Sequence, residues 1–186
     1  MTLSIESEGD PMTDHAPPDV AALARLYGRQ VFQAAYRVLG QASQAEDLQQ
    51  DVFLRVLERP TEAVESWPAY LTTLTVRMAI DRLRKAGRWR RLVPTWRATA
   101  PAAFDSTEQS AIEHERARQL RDALGRLKPR EAECFTLRHV QGMEIAAIAA
   151  ATGMSSNHVS VCLHRASRAL EARLGGIETD TTPEVL

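Results

Sequence analysis

The sequence predicts an all-α chain of two small helical units joined by a flexible linker, and three observations support that prediction. Apolar residues recur at intervals of three and four through the first half of the chain, the period of a helix with one buried face. The stretch from Gly142 to Leu170, GMEIAAIAAATGMSSNHVSVCLHRASRAL, has the spacing of a helix-turn-helix. Between them, Pro94 to Ser110 is rich in Pro, Ala and Thr, carries few charges and interrupts the period as a linker does. The boundaries expected are an acidic, disordered tail over 1–19, a first unit over 20–92, a linker over 93–111, a second unit over 112–174 and a C-terminal tail over 175–186. Units of this size bury only ~60% of the surface of their unfolded chains, which leaves each with modest stability.

The first helix follows from Val20, Leu23, Tyr27, Val31, Ala34 and Val38, with Asp19 as its cap and Gly40 at its end. Ser43 and Glu46, three residues apart, read as a capping box opening a second helix. Its buried face is expected to be Leu48, Val52, Phe53, Val56 and Leu57, which leaves Asp47, Gln50, Asp51 and Leu54 on the opposite side. A third helix begins near Ser66, with Pro68 in the first turn, where a missing N–H costs nothing. Trp67, Leu71, Leu74 and Met78 face one way; Val76, Ile80 and Leu83 form a second apolar stripe nearly opposite, so this helix is expected to be packed on two sides.

In the second unit, Ile145, Ile148 and Ala149 line a short helix, the small Ala149 permitting a close crossing. Gly153 supplies the turn through a positive φ. Val159, Leu163, Ala166 and Leu170 then line the inner face of another helix, capped by Ser155 or Ser156. Its outer face carries Ser156, Asn157, His158, Val161, His164, Arg165 and Arg168, polar tips and guanidiniums suited to base edges and phosphates.

The net charge of −1 conceals an asymmetry. From Arg77 to Arg97 there are eight basic residues against one acid, a local excess of +7, whereas the first twenty residues hold five acids and no Lys or Arg. The basic block, with Trp89 and Trp96 interleaved, suits a polyanion whose unpaired bases stack on aromatic rings. Cys134 and Cys162 form no C-x-x-C pair, and no signal peptide or membrane span is visible, so a cytoplasmic protein with no membrane insertion is expected. His158 and Cys162 stand one helical turn apart, but four ligands at a recognised zinc spacing are absent. No phosphate loop or nucleophile motif appears, so no enzyme activity, no cofactor and no metal are expected.

Two segments in order carry a family resemblance. AEDLQQDVFLRVLE (45–58) followed by AYLTTLTVRMAIDRLRK (69–85) resembles the sigma-2 domain of bacterial sigma factors of the extracytoplasmic-function group. ALGRLKPREAECFTLRHVQGMEIAAIAAATGMSSNHVSVCLHRASRAL (123–170) is similar to their sigma-4 domain. The resemblance implies an alternative sigma factor that binds core RNA polymerase, at the clamp helices of the largest subunit and at the flap, and directs it to −35 and −10 promoter elements. It implies that Asp47, Gln50, Asp51 and Leu54 contact polymerase. It places Arg77, Arg82, Arg84, Lys85, Arg88 and Trp89 at the −10 region, with a pocket loop for a flipped base within Arg59 to Ser66. Ser156, Asn157, His158, Val161, Arg165 and Arg168 fall at the −35 element. An anti-sigma factor is a further implied partner. The chain departs from the family pattern at Val76-Arg77, where Arg-Asn is common, at Ala146-Ala147, where paired acids are frequent, and at Ser160 and Cys162, where basic residues are usual. The rival reading is a stand-alone helix-turn-helix regulator that binds a palindromic site as a dimer.

Overall fold

The structure, a computed structural model, describes residues 19–58, 64–92 and 108–175. Every regular element among them is helical: α1 (Val20–Leu39), α2 (Ala42–Glu58), α3 (Trp67–Leu92), α4 (Glu108–Leu124), α5 (Pro129–Phe135), α6 (Ile145–Thr152) and α7 (Ser156–Leu174), with a π-helical turn, Thr136–Val140, continuing α5. Both terminal tails, most of the expected pocket loop and most of the linker, with Trp96 and Arg97, lie outside the described residues. Helix α4 starts at Glu108, inside the span expected to be linker.

Helix α1 begins and ends as its sequence requires. The Asp19 carboxylate accepts from the Ala22 N–H at 3.0 Å, and Gly40, at φ +72°, closes the helix by donating its N–H to the Tyr36 carbonyl. Helix α2 starts differently. Ala45 donates to the Gln41 carbonyl at 3.0 Å, so Ser43 is already inside the helix and the expected capping box does not form. A short linkage between the Gln44 and Gln41 side chains, at 2.6 Å, holds that turn instead. Leu48, Val52 and Val56 are buried as expected and Phe53 packs beside them, but Leu57 is 61% exposed. Val56 takes the inward position, and Leu57, about 100° further round the helix, is turned outward.

Leu23, Val31, Val38, Leu48, Val52, Val56 and Leu71 form the first apolar cluster, with Trp67, Leu74 and Met78 packed at its margin. The second stripe of α3 does what the sequence suggests, and its partner is the other half of the chain. Val76 and Ile80 belong to one buried cluster with Ala123, Leu124, Leu127, Cys134, Leu137, Ile148, Val159 and Leu170, and Leu83 touches both clusters. The two halves are therefore not independent bodies in this structure: α3 is a wall common to both cores. Each fully buried aliphatic side chain on that wall contributes at most about 1.5–3 kcal/mol.

Close backbone approach completes the contact. A Cβ on Gly125 would lie 3.1 Å from the Leu83 carbonyl oxygen, a tight contact that glycine avoids, so the turn between α4 and α5 approaches α3 closely without displacing its backbone. The π-turn brings Gln141 against α1, where its Nε2 donates to the Ala34 carbonyl at 3.2 Å. Nothing in the apolar periodicity indicated that turn.

Candidate nucleic-acid interface

The second unit presents its reader helix as the residue pattern requires. Gly153, at φ +69°, ends α6 by donating to the Ala149 carbonyl, and Ser155 caps α7 by accepting from the His158 N–H at 3.2 Å. Ser155 and not Ser156 is therefore the cap, and Ser156 lies in the first turn. Val159, Ala166 and Leu170 are buried, while Ser156, Asn157, His158, Val161, His164, Arg165 and Arg168 are all exposed on one side. These are the side chains available to a groove. Ser160 is exposed and returns a hydrogen bond to the Ser156 carbonyl at 3.0 Å.

Cys162, at a position where basic residues are usual in the family, is 5% exposed and packs in the core. Its neighbour is Cys134, whose thiol is pushed up to about 12 by burial first and then by Cys162. The Cys134 thiol therefore stays protonated at neutral pH and is a poor metal ligand. Among the described residues, no three His, Cys, Asp or Glu side chains gather as a metal site, and His158 points to solvent.

In the first unit, Asp47, Gln50, Asp51 and Leu54 form an exposed face of α2, with Leu54 55% exposed. Asp51 and Leu54 line a groove of about 620 Å³ between α2 and α3, floored by Tyr70, Leu74 and Met78 and shared with Arg77, Arg82 and Lys85. Candidate polymerase contacts and candidate promoter contacts therefore meet in one concavity. Arg82 joins them directly: its Nη2 donates to the Asp51 carboxylate and its Nη1 to the Gln44 carbonyl at 2.9 Å.

The six candidate −10 residues do not form a single face. Arg77, Arg82 and Lys85 line the groove toward α2, whereas Arg84 and Arg88 line a cleft toward the second unit. Trp89 is 69% exposed and belongs to neither apolar cluster. Arg77 is engaged across the interface. Its Nε and Nη2 both donate to Glu133 Oε1, at 3.0 and 2.8 Å, and Arg130 Nη1 donates to Glu133 Oε2 at 3.1 Å. The Glu133 side chain is 4% exposed, the two arginines 48% and 54%, so one buried carboxylate on α5 is shared by a guanidinium from each half. Sequence reasoning missed Glu133 and Arg130. The available signal was Lys128-Pro129, a proline at the first position of a helix, which marks α5 but does not say what its carboxylates meet.

Among the described residues, no helix is long and apolar enough to cross a membrane.

The same two units are found in proteins already characterised. Residues 23–89 match the family model for Sigma-70 region 2, and residues 117–170 match that for Sigma-70, region 4. The chain is 34% identical over 160 residues to the ECF RNA polymerase sigma factor BldN of Streptomyces coelicolor, an alignment covering 82% of this chain and 60% of that protein. It is 26% identical over 169 residues to the probable ECF RNA polymerase sigma factor SigI of Mycobacterium tuberculosis, covering 88% of this chain and 58% of SigI. The chain thus spans about three fifths of the length of these two relatives. Among solved structures, its fold is similar to that of the sigma factor RpoE of Bartonella quintana, in complex with the anti-sigma factor NepR. That match has a TM-score of 0.51 at 20% identity and covers 86% of this chain and 99% of the other. CnrH, in complex with the cytosolic domain of CnrY, matches with a TM-score of 0.52 at 21% identity over 84% of this chain and 87% of CnrH.

Proposed function

We propose that this chain, which belongs to the extracytoplasmic-function sigma factors, binds core RNA polymerase and directs it to promoters with −35 and −10 elements, assisting strand opening near the start site. The observation that carries the reading is the occurrence in one chain, in this order, of a region 2 unit with an exposed α2 face and a region 4 unit whose capped reader helix turns Asn157, His158, Arg165 and Arg168 to solvent. The first unit spans about residues 20–92 and the second 112–174, with tails and a connecting segment outside them.

The division of labour follows from the chemistry of each surface. Asp47, Gln50, Asp51 and Leu54 offer polymerase an acidic rim around an apolar residue, a composition that favours electrostatic steering onto a basic partner. Ser156, Asn157, His158, Val161, Arg165 and Arg168 enter the major groove at −35, where Asn and Arg form paired hydrogen bonds to base edges. Arg77, Arg82, Arg84, Lys85 and Arg88 neutralise phosphates around −10, and Trp89 offers a ring to an unstacked base. Bond formation belongs to polymerase; this chain supplies binding and position, in the cytoplasm where promoter and enzyme meet. An anti-sigma factor is the regulatory partner in keeping with this fold.

Free protein engages a promoter poorly on this reading, because Arg77 is committed to Glu133 and Arg82 to Asp51. Docking of polymerase on the Asp51 and Leu54 face competes for Asp51 and frees Arg82 for DNA. Footprinting on a cognate promoter, with permanganate detection of unpaired thymines, tests this with protein alone, core polymerase alone and the mixture. Protection and melting are expected only in the mixture. A symmetric footprint from the free protein, unchanged by polymerase, would overturn the reading in favour of a dimeric stand-alone regulator.

A further inference from the structure

Four arginines from three parts of the chain converge where the two units meet. Arg84 and Arg88 come from the last turns of α3, Arg126 from the turn between α4 and α5, and Arg173 from the end of α7; with Gly125 and Leu127 they line a cleft of about 380 Å³. Among the described residues no carboxylate lines it. Among the described residues, Arg173 Nη1 donates to the Ala169 carbonyl at 3.0 Å, and none of the four forms an ion pair. Several arginines elsewhere are paired, Arg77 and Arg130 with Glu133, Arg82 with Asp51, Arg118 with Glu115 and Arg138 with Glu144.

A second observation bears on the same cleft. Arg84 Nη1 is buried and has no hydrogen-bond acceptor among the described residues. A buried N–H of a charged group without an acceptor is costly, and four like charges around one concavity repel each other, unless an anion completes the arrangement. Arg173 alone is accounted for by the dipole of α7, whose last turn it occupies. That field does not explain why three other guanidiniums, from α3 and from the turn after α4, face the same space.

We propose that this cleft binds a compact, multiply charged phosphate anion, a free polyphosphate chain of the kind carried by nucleoside triphosphates. Guanidinium forks match phosphate oxygens two at a time, and a chain of phosphates presents enough oxygens to engage several forks at once. The volume lies in the range of small-molecule sites, and the cleft is bounded by both units, which suits a short anion better than a long polymer. Such a ligand ties α3 to the turn after α4 and to α7, and so stabilises the packed arrangement of the two units. The site stands on this geometry; Arg84 and Arg88 are also assigned to promoter phosphates, so the anion and the promoter compete for these two residues, while Arg126 and Arg173 belong to the cleft alone.

The test is calorimetric titration of the full chain with inorganic triphosphate at constant ionic strength, with Arg126→Ala/Arg173→Ala as the variant, since neither residue is placed in the promoter or polymerase surfaces. Saturable one-to-one binding is expected, weakened about tenfold or more in the double variant, with a rise in Tm on binding only in the unaltered protein. If the double variant fails to fold, Arg126→Gln, at an exposed turn position, carries the same comparison. Absence of saturable binding, or equal affinity in protein and variant, overturns the proposal. A ten-nucleotide single-stranded DNA is the second arm. Failure of the oligonucleotide to displace triphosphate supports a free anion. Tighter binding of the oligonucleotide than of triphosphate, lost in the same variant, overturns the free-anion assignment and gives the arginines to a nucleic-acid backbone.

Discussion

His139 shows how much a single side chain depends on where the chain brings its neighbours. It lies one turn beyond Phe135, with ring centroids 4.5 Å apart, and its pKa is held below the ordinary histidine value by partial burial first and by the adjacent Arg138 second. The neutral ring is thus favoured in the folded state. Between the lowered folded pKa and the unfolded value near about 6.5, the unfolded chain binds more protons, so stability falls as pH drops through that window. His139→Gln is expected to reduce the slope of the denaturant midpoint against pH from about pH 7 to about pH 5. An unchanged slope would assign the acid sensitivity to other groups. At this same scale the sequence was legible wherever burial follows period alone, as at Val159 and Leu170, and misleading where two adjacent residues compete for one face. Leu57 follows the buried Val56 and is turned outward.

Among the elements, α7 carries the clearest dependence of function on local structure. Its first turn holds Ser156, Asn157 and His158, and that turn is closed by the Ser155 side chain on the His158 N–H. Removing the cap by Ser155→Ala is expected to cost about 1 kcal/mol of stability, read as a lower Tm by circular dichroism, and to weaken −35 discrimination because the first turn frays. Ser156→Ala is the control: the residue is exposed and is not the cap, so its stability should stay within about 0.5 kcal/mol of the parent. Equal losses at both positions would refute the assignment of the cap. The helix-turn-helix was readable because Ala149, Gly153 and Val159 each satisfy a local steric rule. Helices α4 and α5 and the π-turn were not legible from period: α4 has little apolar periodicity, and α5 spans only Pro129–Phe135, with the proline at its first position as its one local mark.

For the whole molecule, the decisive element is α3, buried on both sides. Ile80, 2% exposed, faces the cluster of the second unit, while Leu71 faces that of the first. Ile80→Glu places an unpaired carboxylate in the shared wall, a burial that costs more than the contact contributes. Separation of the units is the expected relief, because the α1 and α2 packing on the other stripe is untouched. X-ray scattering should show a larger radius of gyration with helical circular dichroism retained. Glu133→Gln should shift the dimensions the same way by less, since it weakens the bond to Arg77 without opening the apolar wall. Unchanged dimensions in the Ile80 variant would mean that the two halves do not part at this surface.

The sequence by itself determined the all-α class, the two units and their order, the ends of α1, the reader helix with its outward polar residues, and the two-sided character of α3. Each of these rests on a rule that acts within a few residues: a helical period, a cap, a glycine that tolerates positive φ. Tertiary structure alone decided that the second stripe of α3 is covered by the other unit, that Glu133 unites Arg77 with Arg130, and that Arg84, Arg88, Arg126 and Arg173 share one cleft. The physical reason is separation along the chain. Arg77 and Glu133 stand 56 residues apart, and no local preference of either one names the other; only the packing of α5 on α3 brings the carboxylate and the guanidinium within 2.8 Å.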